Sequence, residues 1–389
     1  MHHHVLLLVN SYVTPKDPRR GAKFALQLES YARRGWNVGL MAAFQRDISL
    51  LECLRQRSFI LHEQQFGRPV VRNCNAYTFG RFVRPLQRLE TRIAYAVCSF
   101  ESYMLAYGKP DLIHAHGSQW AGAVALQVKQ KHEIPYVLTE HMSNYARGSV
   151  VDEHIPLMRQ VFKEAANRLP ISHATGRAIE NTLGAAARPW FPLPNMTDIR
   201  LFQASNLPSG PTVFVTAGRL HPVKGYDVLL DAFAIAFAGG PQRLRIGGDG
   251  PLRGELERQA LTLGIANQVV FLGQLSRSAV AEELSKASCY VLASHTETFG
   301  IPVLEAHASG KPVISTRCGG PEALIDESNG ILVPPNDPLA LADAMKAVEA
   351  RLEQFDPILI SNVVRKRYAP DAVLDQLAPI YETAVEQNS

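Results

Sequence analysis

Short β-rich apolar runs alternate with helical stretches along this 389-residue chain, and the whole pattern occurs twice. Because strands that alternate with helices form parallel sheets, the pattern predicts α/β domains of the doubly wound kind. The elements predicted in the first half are strands near Val5–Asn10, Asn37–Met41, Leu112–Ala115, Tyr136–Thr139 and Leu169–Ile171, and helices at Lys23–Arg34, Gln119–Lys131, Leu157–Asn167 and Ala174–Leu183.

A proline-rich break separates the two halves. The segments Arg188–Asn195 and Leu207–Pro211 together hold five prolines, which exclude a regular helix and indicate a connector. The pattern then resumes with a helix at Gly225–Ala238, a last helix at Val373–Val385, and strands near Thr212–Ala217, Leu244–Ile246, Val269–Leu272, Cys289–Ala293 and Pro312–Ser315.

These elements predict two Rossmann-like, doubly wound parallel-sheet domains that face a cleft. We expect an N-terminal domain at 1–195, a linker at 196–210 and a C-terminal domain at 211–370. The remaining residues, 371–389, form a helix that could return to the first domain.

Composition excludes several classes of protein. Apolar residues make up 46% of the chain, yet no run reaches the roughly 18 apolar residues that span a bilayer. The opening run Val5–Val9 is too short for a signal-peptide core, so it is interpreted as a buried strand. The five cysteines are odd in number and widely spaced, which favours a reducing, cytoplasmic location. No function is assigned to His2–His4.

Charge is distributed unevenly between the halves. Residues 1–195 hold 24 Lys and Arg against 14 Asp and Glu, whereas the remainder holds 16 against 22. A basic half next to an acidic half suggests that one domain meets an anionic partner, although two surfaces that merely differ in charge remain the alternative. Nothing in the pattern indicates a nucleic-acid partner.

The loop Gly218–Gly225 follows a predicted strand and carries two cations, Arg219 and Lys224. Ligands of parallel sheets bind at the carboxyl ends of the strands, so this pair could hold a diphosphate. Taken alone, two solvated loop cations are the more common outcome. A second loop, Gly247–Leu252, has glycines, Gly248 among them, that could bring amides to an anion or could simply form a tight turn.

The segment Glu297–Glu305 is the most informative motif. Pro302 suits the first position of a helix, whose free amides around Phe299–Val303 could bind a phosphate. Glu297 then precedes the helix and Glu305 lies about one turn inside it, where both carboxylates could accept hydrogen bonds from sugar hydroxyls. Both acids could instead only complement the helix dipole. A further glycine turn at Cys318–Glu322 could line the same pocket or only shape its loop.

The first half contributes two candidates. Gly21 lies between the first strand and the first helix, where its amide could approach a phosphate. His141, in Thr139–His141, ends a strand near the expected cleft. A single histidine is as often a structural residue as a catalytic one.

Taken together, these residues resemble family 4 of the retaining glycosyltransferases, which have the GT-B architecture. The matching elements follow the family's order over nearly the whole chain, and they are Gly21, Thr139–His141, Gly218 with Arg219, Lys224 with Gly225, Gly248–Gly250, and the Glu-x7-Glu pair of Glu297 and Glu305.

The resemblance implies a role for each matching residue. Arg219 and Lys224 would hold the donor diphosphate, Glu297 would contact the transferred sugar, and Glu305 would bind the donor ribose. His141 would approach the sugar from the other domain. The remaining donor-binding positions implied are Gly21, Gly248, Phe299, Gly300 and Ile301.

The predicted reaction is transfer of a sugar from a nucleotide sugar, with UDP-sugars favoured, to a glycan or lipid-linked acceptor in cell-envelope synthesis. The chain has no Asp-x-Asp, so we predict no metal and no cofactor, with Arg219 and Lys224 replacing the metal charge. Retention in this family is usually described as same-face attack, which needs no protein nucleophile. Two alternatives stay open: a nucleotide-sugar 2-epimerase of the same architecture, and a catalytically silent sugar-nucleotide-binding subunit.

A basic amphipathic pattern lies at Gly80–Cys98. Its arginines, Arg81, Arg84, Arg88 and Arg92, recur at near-helical spacing between apolar residues. Such a helix could lie on an anionic membrane surface or guide an anionic acceptor. It could equally be an ordinary helix with its apolar side in the core. The membrane interpretation predicts a peripheral enzyme at the inner face of the cell membrane.

Overall fold

The computed structural model describes residues 3–14, 17, 21–44, 60–73 and 89–387. It divides into two compact units: residues 1–196 together with 370–389, and residues 197–369. Each unit is built on one sheet. The two parallel-sheet α/β units confirm the predicted fold class.

The first unit has a seven-stranded sheet in the order β3-β4-β2-β1-β5-β6-β7. All neighbouring strands are parallel except the antiparallel pair β3 and β4. The strands are β1 (Val5–Val9), β2 (Val38–Ala42), β3 (Ile60–Gln65), β4 (Arg68–Asn73), β5 (Leu112–His116), β6 (Tyr136–Glu140) and β7 (Asn167–Pro170). The helices are α1 (Ala22–Arg33), α2 (Leu89–Tyr107), α3 (Ala123–His132), α4 (Ile155–Glu164), α5 (His173–Leu183) and, from the end of the chain, Pro370–Glu386.

The second unit has a six-stranded parallel sheet in the order β10-β9-β8-β11-β12-β13. Its strands are β8 (Val213–Ala217), β9 (Arg243–Gly247), β10 (Val269–Gly273), β11 (Cys289–Leu292), β12 (Val313–Thr316) and β13 (Gly330–Val333). Its helices are α6 (Tyr226–Phe237), α7 (Arg253–Thr262), α8 (Arg277–Lys286), α9 (Ile301–Ala308), α10 (Pro338–Ala350) and α11 (Pro357–Tyr368), so that the helix Pro370–Glu386 is α12.

Burial of β1 on both faces explains its sequence. All five residues of Val5–Val9 are at most 1% exposed. A central strand of a parallel sheet is covered by helices on both sides, and therefore is a continuous apolar run without alternation. Every residue of β5 and β6 is buried as well, although these strands end on polar residues, His114 and His116 in β5 and Thr139 and Glu140 in β6. Hydrophobic clusters pack against both sheets.

Helix α12 packs within the first unit against α1. The hydroxyls of Tyr31 and Tyr381 lie 2.6 Å apart, and Arg34 donates to Asp371 and Asp375. Leu374 and Leu377 are fully buried in the cluster that includes β1. The C-terminal residues are thereby part of the first unit's core.

Several elements differ from the sequence predictions. Strands β3, β4 and β13 were not predicted, because β3 and β4 carry many polar residues and β13 is only four residues long. Helix α3 begins at Ala123, and not near Gln119, because a π-helical turn at Ser118–Gly122 precedes it. The close approach of Val161 explains Gly122, where a Cβ would lie 2.7 Å from Val161 Cγ1.

Candidate active site

The predicted donor loops lie together at one edge of the second sheet. They follow β8, β9, β11 and β12, whose parallel pairing brings their carboxyl ends to the same side. Strand order reverses between β8 and β11, since β9 and β10 extend the sheet one way and β12 and β13 the other. Ligands of open parallel sheets bind at such a reversal point, so the loops Gly218–Gly225 and Ala293–Gly300 flank the expected position.

Lys224 and Glu297 form the ion pair at this edge. Lys224 Nζ donates to Glu297 Oε2 at 2.6 Å, and both side chains are largely buried, with 24% and 18% of their surfaces exposed. The backbone holds the two loops together as well, because His295 N donates to Val223 O at 2.9 Å. The residues predicted from two distant motifs are thus in direct contact.

Glycines allow these loops to pack backbone against backbone. Gly225 adopts φ 60°, and a Cβ there would lie 2.2 Å from Ala293 O. A Cβ at Gly248 would lie 1.8 Å from Gly218 O, and one at Gly320 would lie 2.3 Å from Phe299 N. Loop packing alone therefore requires Gly248, whatever it binds.

Helix α9 begins one residue earlier than predicted, at Ile301, and Pro302 is its second residue. Gly300 adopts φ 96° ahead of it, a conformation that glycine reaches without strain. The prediction of free amides was wrong for Val303, whose N–H donates to Gly300 O at 2.9 Å because the helix starts earlier. Phe299 is buried, whereas Ile301 is exposed.

Glu305 is held by a second ion pair. Arg277 Nη2 donates to Glu305 Oε1 at 2.7 Å and to the Asp198 carbonyl at 2.9 Å. Burial raises the pKa of the Glu305 carboxyl, and Arg277 offsets part of that rise. The second carboxylate oxygen, Oε2, has no hydrogen bond with a described residue, so it can accept one from a hydroxyl.

Arg219 differs from these paired charges. It is exposed and forms no hydrogen bond or ion pair with any described residue. Arg245, considered as a wall of a nucleobase pocket, is engaged by Glu283 through contacts of 2.6 and 3.0 Å. Arg219 is therefore available to an anion, whereas Arg245 already has an acidic partner.

In the first unit, Gly21 and His141 follow β1 and β6. Gly21 caps α1 with φ 76°, and a Cβ there would lie 2.7 Å from Ser11 O. Glu140 is fully buried and accepts four hydrogen bonds, from Ser118 N, Ser118 Oγ, His141 N and Met142 N. Its carboxylate thereby fixes the backbone that carries His141.

His141 belongs to a column of stacked histidines. His116 Nδ1 lies 2.9 Å from His141 Nε2, and the rings of His114 and His116 stack at 4.1 Å between centroids. Behind them, His114 contacts Tyr381 Oη at 2.5 Å and Thr139 Oγ1 at 2.7 Å. Burial lowers the pKa of His114 to about 3 and the pKa values of His116 and His141 well below the usual value, so all three are neutral at pH 7.

Sequence inspection missed several of these groups. His114 and His116 lie two residues apart and therefore on the same face of β5. Two histidines in an otherwise apolar strand are a sequence signal from which both could have been predicted as site residues. Arg277 lies far from Glu305 in sequence and carried no signal. The same is true of Tyr381, which α12 brings to β5.

The arginine-rich segment falls mostly outside the described residues. Arg81, Arg84 and Arg88 lie there, whereas Arg92 lies in α2 with its guanidinium 5.6 Å from the centre of the Trp120 ring. The apolar face of α2 contributes Ile93, Val97 and other residues to the core, as the alternative interpretation predicts. Over the described residues, no helix is both long and apolar enough to cross a membrane.

Two family models match the chain. The model described as "Glycosyl transferases group 1" matches residues 198–354, and "Glycosyl transferase 4-like domain" matches residues 21–196. Two parallel α/β units with charged glycine loops at this sheet edge define a glycosyltransferase of the GT-B architecture. The chain belongs to the family 4 type of these enzymes, as its motifs indicated.

Individual proteins support this assignment. A D-inositol 3-phosphate glycosyltransferase of Geodermatophilus obscurus is 28% identical over 72% of this chain and 68% of its own length. The putative teichuronic acid biosynthesis glycosyltransferase TuaC of Bacillus subtilis is 24% identical over 89% of both chains. The Anabaena protein Alr3699/HepE, solved in complex with UDP, has a TM-score of 0.74 and 21% identity, covering 98% of this chain and 100% of its own.

Proposed function

We propose that this glycosyltransferase moves a sugar from a nucleoside diphosphate sugar, with UDP as the favoured nucleotide, and retains its anomeric configuration. The contact between Lys224 and Glu297 carries the proposal, because it places a cation and a carboxylate together at the reversal point of the second sheet. HepE in complex with UDP supports the choice of nucleotide.

Each charge has a role in this proposal. Arg219 and Lys224 hold the diphosphate, together with amides beside Gly300 and at Gly21, while Gly248 keeps its loop close to Gly218. Glu297 accepts hydrogen bonds from the sugar, and Glu305 binds the ribose with the carboxylate oxygen that Arg277 leaves available. His141 is the residue that the family resemblance assigns to the sugar.

The chemistry explains why cations are needed. Breaking the anomeric C–O bond produces a sugar with oxocarbenium character and a nucleoside diphosphate anion. Arg219 and Lys224 stabilise that anion as its charge develops, which lowers the barrier without a metal. The leaving phosphate accepts the proton of the acceptor hydroxyl, and the acceptor attacks from the face that the phosphate leaves.

The acceptor in this proposal is a glycan or a lipid-linked glycan of the cell envelope. TuaC, a putative teichuronic acid biosynthesis glycosyltransferase, supports this choice. The basic balance of residues 1–195 is consistent with an acidic acceptor.

Donor binding and turnover test the proposal directly. Thermal shift with UDP-glucose, GDP-mannose and ADP-glucose identifies the donor, since a ligand that binds the folded state raises the unfolding temperature. NMR then follows the sugar in reactions with and without EDTA. We expect an α-linked product from an α-linked donor at an unchanged rate in EDTA. A β-linked product would refute retention, and loss of turnover in EDTA would refute metal independence.

The same NMR experiment separates the alternatives. A free sugar inverted at C2 identifies an epimerase. Donor binding by the purified chain without product, across glycan and lipid-linked acceptors, identifies a binding subunit.

Membrane association is a separate part of the proposal. It rests on Arg81, Arg84, Arg88 and Arg92, which we propose contact anionic lipid at the cytoplasmic face. Co-sedimentation with phosphatidylglycerol vesicles compares wild type with a variant carrying glutamine at all four positions. Equal binding of the two proteins removes this part and leaves the transferase proposal intact.

A further inference from the structure

A cleft in the first unit contains a cation that forms no hydrogen bond or ion pair with the described part of the chain. The cleft encloses about 340 Å³, part of it open to solvent, between α1, β5, β6 and α12. Its polar lining includes Lys23, Gln27, His116, His141 and Asn195. Lys23 lies two residues after Gly21, in the first turn of α1.

The ammonium group of Lys23 forms no hydrogen bond or ion pair with a described residue. Its Nζ lies over the ring of Phe24, 4.9 Å from the ring centroid. Burial lowers the pKa of Lys23 to about 8, and the charge of Glu140 opposes that shift. Lys23 is half-buried. An ammonium group that is partly removed from water without a described partner carries a desolvation cost, so the site favours an incoming anion.

Glu140 is not the missing partner. Its two oxygens already accept four hydrogen bonds from Ser118, His141 and Met142, and no oxygen of Glu140 lies within 4 Å of Lys23 Nζ. Glu140 holds the backbone of its own loop, and its charge acts on Lys23 without direct contact. The positive charge of Lys23 therefore remains open to a ligand.

The imidazoles of the cleft provide neutral polar groups beside this cation. His116 is 4% exposed, and its Nε2 is buried without a hydrogen-bond partner among the described residues. Two unsatisfied groups of this kind, one charged and one neutral, meet the needs of an oxyanion with several acceptor oxygens. An uncharged sugar hydroxyl would not compensate the ammonium charge.

We propose that Lys23 and His116 form an acceptor subsite for an oxyanion, a phosphate ester or a carboxylate carried by the acceptor. The inference rests on the proposed transferase function and specifies its acceptor class. Lys23 supplies the charge, and His116 supplies a hydrogen bond from a neutral ring. The phosphate of D-inositol 3-phosphate and the carboxylate of a uronic acid are the two chemical sources considered.

Matched acceptor pairs test the subsite. The charged probes are D-inositol 3-phosphate and methyl glucuronide, and their uncharged counterparts are myo-inositol and methyl glucoside. For wild type, we expect binding by calorimetry to at least one charged probe and weaker binding to its uncharged counterpart. The pair that shows the difference identifies the source of the oxyanion. Equal affinity within both pairs, or no binding of either charged probe, overturns the inference even when donor turnover is intact.

Three variants then locate the effect. We expect Lys23→Met to raise the Kd, and the KM in transfer, of the charged probe by about 10- to 100-fold, the loss typical of a hydrogen bond to a charged group. Lys23→Arg should recover part of this loss. Lys163→Met, which removes an exposed lysine of the same unit, is the matched control and should change neither value.

The donor KM separates this subsite from the diphosphate site. We expect Lys23→Met to leave it within about twofold of wild type. A raised donor KM with an unchanged acceptor Kd would assign Lys23 to the donor and overturn the acceptor subsite. A wild-type chain that binds the charged probe but never cleaves a nucleotide sugar would refute the proposed function and leave the oxyanion site in place.

Discussion

The two sheet edges carry their polar groups in different electrostatic states. In the second unit, Lys224 pairs with Glu297 and Arg277 pairs with Glu305, while the exposed Arg219 has no described partner. In the first unit, three neutral histidines line the same cleft as Lys23, whose ammonium group has no hydrogen bond or ion pair with a described residue.

The difference follows from what each edge is proposed to bind. Each ion pair holds its cation in position for a diphosphate. When that cation binds a phosphate, it exchanges one anionic partner for another. Neutral histidines cost less to bury than charged groups, but they stay neutral only at pH values above their folded-state pKa values. We therefore expect pH to change the stability of the first unit. In the second unit, we expect removal of a charge to change the catalytic activity.

The largest effect expected is acid destabilisation of the first unit. The folded-state pKa values of His114, His116 and His141 lie below the unfolded value near 6.5, so the unfolded chain binds more protons and stability falls as pH falls below about 6.5. From pH 7.5 to 5.5 we expect a loss of about 4 kcal/mol, or about 1.4 kcal/mol for each histidine.

Tryptophan fluorescence during urea unfolding measures this loss selectively, since Trp36, Trp120 and Trp190 all belong to the first unit. Few carboxyl groups titrate in this pH window, which leaves the histidines as the main contributors. The control variant His173→Gln removes an exposed histidine and should show the same loss as wild type. A change below about 1 kcal/mol would mean that the column accepts protons in the folded state.

Removing the carboxylate charge of Glu297 should have the largest effect on activity. We expect Glu297→Gln to lower kcat by about 100- to 1,000-fold, because it removes the charged partner of Lys224 and the proposed partner of the transferred sugar. Initial rates with the identified donor measure the effect. The control is Glu257→Gln, which removes the acid of a surface i,i+4 pair with Arg253 and should leave kcat within about twofold. Comparable kcat values for the two variants would place the reaction elsewhere.

Tyr381→Phe tests how the last helix supports the histidine column. Its hydroxyl bonds both His114 and Tyr31, and all three groups are buried. We expect a loss of about 1–3 kcal/mol in urea unfolding, since two buried polar groups lose a partner. The half-exposed Tyr95 provides a control, and Tyr95→Phe should change stability by less than about 0.5 kcal/mol. Equal stability of Tyr381→Phe and wild type would show that water replaces the hydroxyl.

The smallest effect expected is that of Arg277→Gln. Arg277 positions the Glu305 carboxylate, so we expect a donor KM about tenfold higher with a nearly unchanged kcat. Lys286→Gln, at the other end of α8, removes an exposed cation and serves as the control. A fall in kcat with an unchanged KM would instead indicate that Arg277 acts on the transition state. Competitive inhibition by uridine adds a second measurement. Weaker inhibition of Arg277→Gln than of wild type would attribute the change in donor KM to binding of the ribose.

The sequence predicted the fold class well because the buried strands of a parallel sheet are recognisable as apolar runs. Runs such as Val5–Val9 and Leu112–Ala115 are buried on both faces, and no other placement satisfies their apolar side chains. It predicted β3 and β4 poorly, since polar residues such as Glu63 and Arg72 pair with each other at the margin of the sheet. Observed helix boundaries differ from the predicted ones where a local contact determines them, as at Gly122, just before α3.

The candidate residues themselves could be selected from their motifs, but their electrostatic state could not. Lys224 and Glu297 are 73 positions apart, and only the strand order β8-β11 brings their loops together. Likewise, Arg277 reaches Glu305 and Tyr381 reaches His114 across distances in sequence that no local pattern encodes.

The amino-acid sequence by itself determined two parallel α/β units and the glycine and charge motifs at their strand ends, because hydrophobic periodicity and turn chemistry act locally. The tertiary structure alone decided which charges are paired, which histidines are neutral and that Lys23 has no described polar partner. These properties depend on desolvation and on contacts between distant segments, and both arise only when the sheets are assembled.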